Sequence, residues 1–596
     1  MKKGFLWAFI FLVGGGLLMI SIQKEEITNE LKASIFDIGT KIQEAQFDVQ
    51  KWKEISHEAE ALPSVYPVSR IKNALLEVNT IADELNTIQQ ISEHLLDEKL
   101  KTETFFELFS SLERIDASLE TIEENTNSIP DFLLPQNIID QREYFLRSLK
   151  VVRLWLEDVQ KFERIFQTLS KDQARILILL QNQNEPRPTG GFVGSMILVD
   201  FTPEEIQWKF SDVYALDREI PLEAQIPAPQ FFHDLSQTIS LRDANFWLDF
   251  KESSNHYRSF FESIDEKVPN TVLAINMNVI REILHLTGPI TLQKWNVKLD
   301  EYNFDLVLQF LVEAKVSGRF DTKQPVMIFA EELGSSKNFQ NVHASELLNL
   351  DWQKFITEKN ILAHSQNSNL QKLFEKWGID GQLRQKNEAD NFVALDFISV
   401  GANKSEKFVW TKLWHDSEVY ADGTVKNSLD ITRTHALASG EISRLLGENT
   451  WSQNLKDLLT EEILWKLGAG QNRTILRAYI PKESKILDYQ NPSGELGGDI
   501  SPDKNFRILE IPLFVGPGET IHARVEYETK IHRGSVGWRP YFLQLSGTPG
   551  RDKTSFLSTI STDVKGKFRA ETQNIGRPQN LIDSDFRAVV EFQQEK

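Results

Sequence analysis

The chain has no cysteine among its 596 residues. Disulfides, thiolate metal sites and a cysteine nucleophile are therefore excluded, and so is a lipidated amino-terminal cysteine. An excess of basic residues is also lacking, though a local basic pocket is still allowed. The net charge of -20 argues against a nucleic-acid partner, which would favour a positive face. There is no P-loop lysine and no Rossmann glycine spacing. Ser195 lacks the G-x-S-x-G elbow of a hydrolase serine. His233, His256 and His285 show no zinc-ligand spacing. After Ile22 no second apolar run approaches the ~20 residues that cross a bilayer.

What is present points to a folded, multidomain, exported chain. Hydrophobic residues make up 41% and charged residues 26%, enough for real cores with solvated surfaces, and 38 Phe and 13 Trp argue against disorder. The length suggests roughly three or four units. The amino terminus reads Met1-Lys2-Lys3 and then runs without a charge from Gly4 to Ile22. That length suits one membrane span, and the two lysines favour an internal amino terminus. No A-x-A-like cleavage site follows, so the reading is a signal anchor over residues 1–23 rather than a cleaved signal peptide. The rest is expected on the extracytoplasmic side of a bacterial membrane, as the missing cysteines also suit.

From Ile27 to Trp52, from Ile71 to Leu95 and from Phe105 to Ile122, apolar residues step by three and four. These stripes, with a fourth helix over 141–169, predict a helical bundle or coiled-coil stalk over 24–170, with scope for homo-oligomers. From 171 to 388, short apolar runs alternate with helical stretches, the pattern of an α/β domain. Strands are expected at 175–180, 192–201, 206–214 and 272–275. Helices are expected at 251–264, 278–286, 302–316, 351–364 and 368–376. From 389 to 546 the texture is β-rich, with Asp422-Gly423 as a hairpin turn and a helix at 451–467, and predicts a β-sandwich-like domain. Residues 547–596 form a polar tail. The fold class is thus multidomain α and β.

The segment Gln181-Asn-Gln-Asn-Glu-Pro-Arg-Pro-Thr-Gly-Gly-Phe-Val-Gly-Ser195 stands out. Apolar strands flank it. Glycines let backbone approach a ligand closely, prolines stiffen the turn, and arginine suits phosphate or carboxylate. Something is expected to be bound or held there. The alternatives for each residue stay open: Arg187 paired with Glu185 or Asp217, the glycines as backbone devices, and Asp243 or Asp249 as the cap of the following helix. Lys404 reads as a turn residue.

The run Asn184 to Ser195 resembles the hallmark of family DUF4012. Asp212-Val-Tyr-Ala-Leu-Asp217, Leu241-Arg-Asp-Ala-Asn-Phe-Trp-Leu-Asp-Phe250, Leu284-His-Leu-Thr-Gly-Pro-Ile290 and Gly401-Ala-Asn-Lys-Ser405 resemble further elements of the same family, in order. Ala215 stands where an acid is common, and Leu248 replaces a proline. The resemblance implies a membrane-anchored, extracytoplasmic bacterial protein. A weaker resemblance, in element order, is to the LytR-CpsA-Psr phosphotransferases, which transfer polymers from a polyprenyl-pyrophosphate lipid. It implies arginines on pyrophosphate and carboxylates on Mg2+. Carried onto this chain, the catalytic candidates are Arg187, Asp217 and Arg242. The ligand-binding candidates are Thr189, Gly190, Gly191, Ser195, Arg218 and Asn245. The metal candidates are Asp212, Asp217 and Asp243. The expected function is binding or transfer of a lipid-linked surface polymer. The alternative is a non-enzymatic scaffold or adhesive protein on a helical stalk.

Overall fold

The computed structural model describes residues 100–128, 163–318, 322–336, 352–383, 391–420, 422–436, 452–498 and 506–530. It also describes strands at 538–546, 554–562 and 586–593 and scattered positions within 70–91, 143–156 and 440–446. The expected anchor from Gly4 to Ile22 and the stripe from Ile27 to Trp52 lie outside the described residues, as does most of the second stripe. Among the described residues no helix is long and apolar enough to cross a membrane. The protein is mixed α/β with several sheets. It divides into one compact unit of Met1–Arg175, Val199–Trp208 and Ala330–Gln353, and another of Ile176–Leu198, Lys209–Phe329 and Lys354–Lys596.

In the first unit, β1 (Leu100–Lys101) leads into helix α1 (Thr102–Asn127). Its third stripe is read correctly as helix, but the buried line runs through Phe105, Phe109, Ser111, Ile115, Ser118 and Ile122. Leu108, Leu112 and Leu119 flank that line and are half-buried. Phe166 gathers Phe105 and Phe109 at ring separations of 4.8 and 5.8 Å and meets Phe201 edge-on at 5.6 Å. Such aromatic packing supplies most of the cohesion of a small helical core.

The α/β elements fall largely, though not wholly, in the second unit. Strands β2 (Arg175–Asn182), β3 (Phe192–Phe201), β4 (Glu205–Asp212), β5 (Thr271–Asn276) and β6 (Ile361–Ser365) lie in the order β4-β3-β2-β5-β6. β2 and β5 run parallel and β6 antiparallel to β5. Helix α2 (Val213–Asp217) follows β4, and α3 (Phe250–Ser263) buries Phe250, Tyr257, Phe260 and Phe261 against the sheet. Next come α4 (Met277–Thr287), α5 (Phe304–Glu313) and α6 (Gln324–Ser335), then α7 (Trp352–Thr357) and α8 (Ser368–Trp377). The single helix expected over 351–364 is instead α7 followed by β6. Lys359 sits at φ 51°, which a continuing helix does not allow, and the short run Ile361–Ser365 then pairs as a strand.

Ten more strands form two five-stranded sheets. They are β7 (Asn391–Ser399), β8 (Val409–Val419), β9 (Thr424–His435), β10 (Asn472–Pro481), β11 (Lys485–Gln490), β12 (Phe506–Val515) and β13 (Thr520–Lys530), then β14 (Trp538–Ser546), β15 (Thr554–Thr562) and β16 (Phe586–Gln593). The sheet orders are β12-β10-β7-β14-β16 and β11-β13-β9-β8-β15. The tail read as merely polar therefore supplies two strands, β15 and β16. The helix expected over 451–467 is two short helices, Gln453–Lys456 and Glu461–Leu464, with a widened turn to Ala469. Val393, Leu395 and Phe397 of β7 face a core shared by both sheets. The alternate side chains, Phe392, Ala394 and Ile398, pack on Phe246 and Leu248. β7 is therefore buried on both faces, and the segment Leu241–Phe250 is clamped to the outside of a sheet.

Two buried imidazoles set an acid limit to stability. Burial pushes His415, beside the Tyr527 hydroxyl, down to about 4. Burial, helped by the Lys251 charge, does the same to His364 on β6. The unfolded chain then binds protons more readily than the folded one. Stability is full above the unfolded value of about 6.5 and is lost as pH falls toward about 4. We expect the urea midpoint to fall across that window, more shallowly in His415→Gln; an unchanged midpoint would contradict the neutral-imidazole assignment.

Candidate functional site

The glycine-rich connection between β2 and β3 is held by side chains rather than left open. Gln181 Oε1 accepts from Thr189 Oγ1 at 2.7 Å, Asn245 Nδ2 at 3.1 Å and Gly191 N at 3.3 Å. Gln181 Nε2 donates to Thr189 O at 3.0 Å, and Asn245 Nδ2 also donates to Gly191 O at 2.8 Å. Thr189 and Asn245 have no solvent exposure. Gly190 adopts φ 139°, and a Cβ there would lie 2.3 Å from Asn276 Oδ1. At Gly191 a Cβ would lie 2.2 Å from the carbonyl of Asn182. The turn needs glycine at these two places because protein, not ligand, fills the space.

Arg187 is the bolt of this turn and is only 2% exposed. Nε and Nη2 donate to Asp243 Oδ1 at 3.0 and 2.9 Å, and Nη1 donates to Pro186 O and to Ser399 O of β7. Its guanidinium lies 5.3 Å from the Phe192 ring centre and 5.5 Å from that of Phe232. Ser399 N in turn donates to Pro186 O at 3.0 Å. The Pro-Arg-Pro turn is thus tied to the end of β7.

Arg242 sits differently. Its Nε donates to Asp243 Oδ2 at 3.3 Å, its Nη1 lies 3.6 Å from Asp217 Oδ2, and its side chain stays 32% exposed. Asp243 therefore lies between two guanidinium groups, which places Arg187 and Arg242 side by side. Asp217 Oδ1 accepts from Arg242 N, and Asp212 accepts from Tyr214 N as the cap of α2. Ser195 is buried. Arg218 is exposed, and its side chain makes no hydrogen bond or ion pair among the described residues.

The carboxylates do not fit the Mg2+ that the weaker resemblance implies. Among the described residues no three His, Asp or Glu side chains are grouped to hold a metal ion. Both oxygens of Asp243 face arginines, Asp212 caps a helix and Asp217 holds the start of the Arg242 turn. A hard cation asks for several oxygens converging on one point, and these three are committed to arginines and backbone amides instead.

A residue that sequence reasoning missed completes the open side of the turn. Lys323 lies just before α6, and its Nζ would be 2.8 Å from a Cβ at Gly194. Gly194 thus leaves room for the ammonium. Tyr214, 38% exposed, carries Lys323 Nζ and the Arg242 guanidinium each 5.8 Å from its ring centre. Among the described residues Lys323 makes no hydrogen bond and no ion pair with a carboxylate. Burial holds its pKa below the ordinary lysine value despite the Asp212 charge. Burial, then Glu185, raises that of Tyr214, so its hydroxyl stays a donor.

The neighbouring lysines are occupied. Lys404 Nζ donates to Glu313 at 2.7 Å and lies 3.9 Å from Glu185. Burial would lower its pKa, but Glu185 and Glu313 together raise it. Lys407 donates to Asp305 at 2.5 Å, and Asn184 Nδ2 donates to the same carboxylate. Lys404 is thus an ion-pair residue rather than only a turn residue. No local pattern marks Lys323; only the sequence-distant approach to Gly194 reveals it.

Residues 171–313 match the model of a protein family of unknown function, DUF4012. No curated protein matches the chain. Among the solved structures that overlap with part of it are two of one enzyme. One is the M1 zinc metallopeptidase of Deinococcus radiodurans, at 11% identity over 32% of this chain and 39% of that one, with a TM-score of 0.16. The other is a mutant of that peptidase bound to a Tyr-Ser-Ala substrate, at 10% identity over 31% and 38%, with a TM-score of 0.15. The chain spans about two fifths of the length of these structures. At these scores the overlap carries no argument about fold or chemistry. The comparisons support the DUF4012 resemblance over residues 171–313 and do not show the phosphotransferase one.

Proposed function

We propose that this chain is a membrane-tethered protein of the bacterial envelope that binds an anionic, lipid-linked surface polymer on its extracytoplasmic side. The observation that carries the proposal is the pair of cations, Arg242 and Lys323, over the half-exposed ring of Tyr214 at the glycine turn. Two cations and a phenol hydroxyl around one open ring suit a phosphate or pyrophosphate group. The uncharged run from Gly4 to Ile22, read as a signal anchor, would tether the protein near such a lipid. A helical stalk over 24–170 would set the height of the site above the bilayer. Binding is favoured over phosphoryl transfer because Arg187 and Asp243 are engaged by protein and the acids do not gather a metal ion. An adhesive scaffold without ligand is the opposing reading.

The test is calorimetric titration of the full chain in micelles with farnesyl pyrophosphate, with farnesol as the uncharged control and with and without magnesium. The pyrophosphate binds and farnesol does not. Arg242→Gln weakens binding by about tenfold or more, the scale of one charged hydrogen bond. Magnesium is not required. Because burial lowers the Lys323 pKa, affinity falls with rising pH before the ordinary lysine value of about 10.4 is reached. Equal affinity for both lipids, or none for either, would move the account to the scaffold.

A further inference from the structure

A second site is lined by residues other than those of the glycine turn. Phe246 and Trp247, clamped beside β7, line a cleft of about 370 Å³ with Arg477, Tyr479, Glu252 and Glu510. The volume falls in the range of small-ligand sites. Arg477, from the middle of β10, forms its floor and is 6% exposed. Its Nε and Nη2 grip Asp396, and Nη2 also donates to Phe246 O. Tyr479 Oη donates to the same carboxylate at 2.8 Å. Nη1 makes no hydrogen bond among the described residues. The guanidinium lies 5.0 Å from the Phe246 ring centre. Trp247 stacks one face on His256 at 3.8 Å.

The charges narrow what the cleft takes. Asp396 already neutralises Arg477, and Asp249, Glu252 and Glu510 add acids to the lining. A strongly anionic group would meet those acids, and a cation would give Arg477 Nη1 no acceptor. A neutral polyhydroxyl ring meets neither difficulty. One hydroxyl accepts from Nη1 while others donate to Glu252 and Glu510, and the ring C–H face lies on the aromatic and proline walls. We propose that this cleft binds a neutral sugar unit of a glycan chain, as a site distinct from the Arg242–Lys323 pair and independent of its assignment.

The test uses the full chain with maltotetraose, cellotetraose and the tetramer of N-acetylglucosamine, read by saturation-transfer NMR and calorimetry. At least one oligosaccharide binds. Leu383→Trp, which adds bulk at another residue lining the cleft, and Glu252→Gln, which removes an acceptor, each lower its affinity about tenfold or more, while Lys323→Gln does not. Glu252→Gln keeps the test valid if the larger substitution perturbs folding, which thermal melts report. Absence of binding by all three oligosaccharides overturns the proposal. So does an affinity that survives Glu252→Gln together with the folded Leu383→Trp protein, and so does dependence on Lys323.

Discussion

Asp243→Ala is expected to destabilise the protein by about 3 kcal/mol, the lower end of the cost of breaking a buried ion pair, because Glu185 Oε1 still lies 3.6 Å from Arg187 Nη2. Asp243 is 3% exposed and Arg187 2%, so water cannot replace the lost carboxylate. The guanidinium would keep its bonds to Pro186 O and Ser399 O and its ion pair with Glu185, but lose both bonds to Asp243. Asp243→Asn is milder, because an amide oxygen still accepts from Nε and Nη2 while the charge is gone. Replacing both partners by apolar residues does not fully recover the loss, since Nη1 also satisfies the carbonyls of Pro186 in the turn and Ser399 at the end of β7. Denaturant midpoints of the full chain, followed by tryptophan fluorescence, order the variants as unmodified, Asn, then Ala. An Ala variant as stable as the unmodified chain would mean that Arg187 is not the structural bolt described.

The second large effect separates two glycines of one motif. Gly191→Ala places a Cβ 2.2 Å from the Asn182 carbonyl, both atoms of which are backbone within β2. No side chain can swing away, so β2 or the turn must move. The expected cost is at least about 3 kcal/mol, beyond ordinary overpacking. Gly194→Ala meets only the end of a flexible lysine, Nζ of Lys323, at 2.8 Å. Its fold survives with little loss, and the ammonium is displaced from Tyr214. Soluble yield and melting temperature fall sharply for the first variant and little for the second. The reverse order would show that the turn is built around a ligand space at Gly191 instead.

The strands that flank the motif were legible because their apolar runs are short and bounded by prolines and glycines. Phe192–Phe201 was read to the residue. The turn was legible as a place where something is held, and in the structure its own protein holds it. Thr189, Gly191 and Asn245 satisfy one another through Gln181, a pairing across the chain that no spacing announces. The grouping of Arg187 with Arg242 was only what the phosphotransferase resemblance implies, and their different exposure had no signal in the sequence. Burial depends on what packs over each, here Phe192, Phe232 and the end of β7 for Arg187. Lys323 was invisible for the same reason: its role comes from a glycine far back in the chain. The break between α7 and β6 was missed because a left-handed lysine at 359, unlike a glycine or proline, leaves no local mark.

The most direct measurement is a double-mutant cycle on pyrophosphate binding. Farnesyl pyrophosphate affinity is measured for the full chain, for Lys323→Gln, for Arg242→Gln and for the double variant, each verified as folded by its melting curve. If both cations grip one phosphate group over Tyr214, each single change weakens binding about tenfold or more. The double change then departs from the sum of the two, because residues sharing a ligand couple. If Lys323→Gln leaves the affinity unchanged, the open side of the glycine turn is not the binding site and the account fails at its centre.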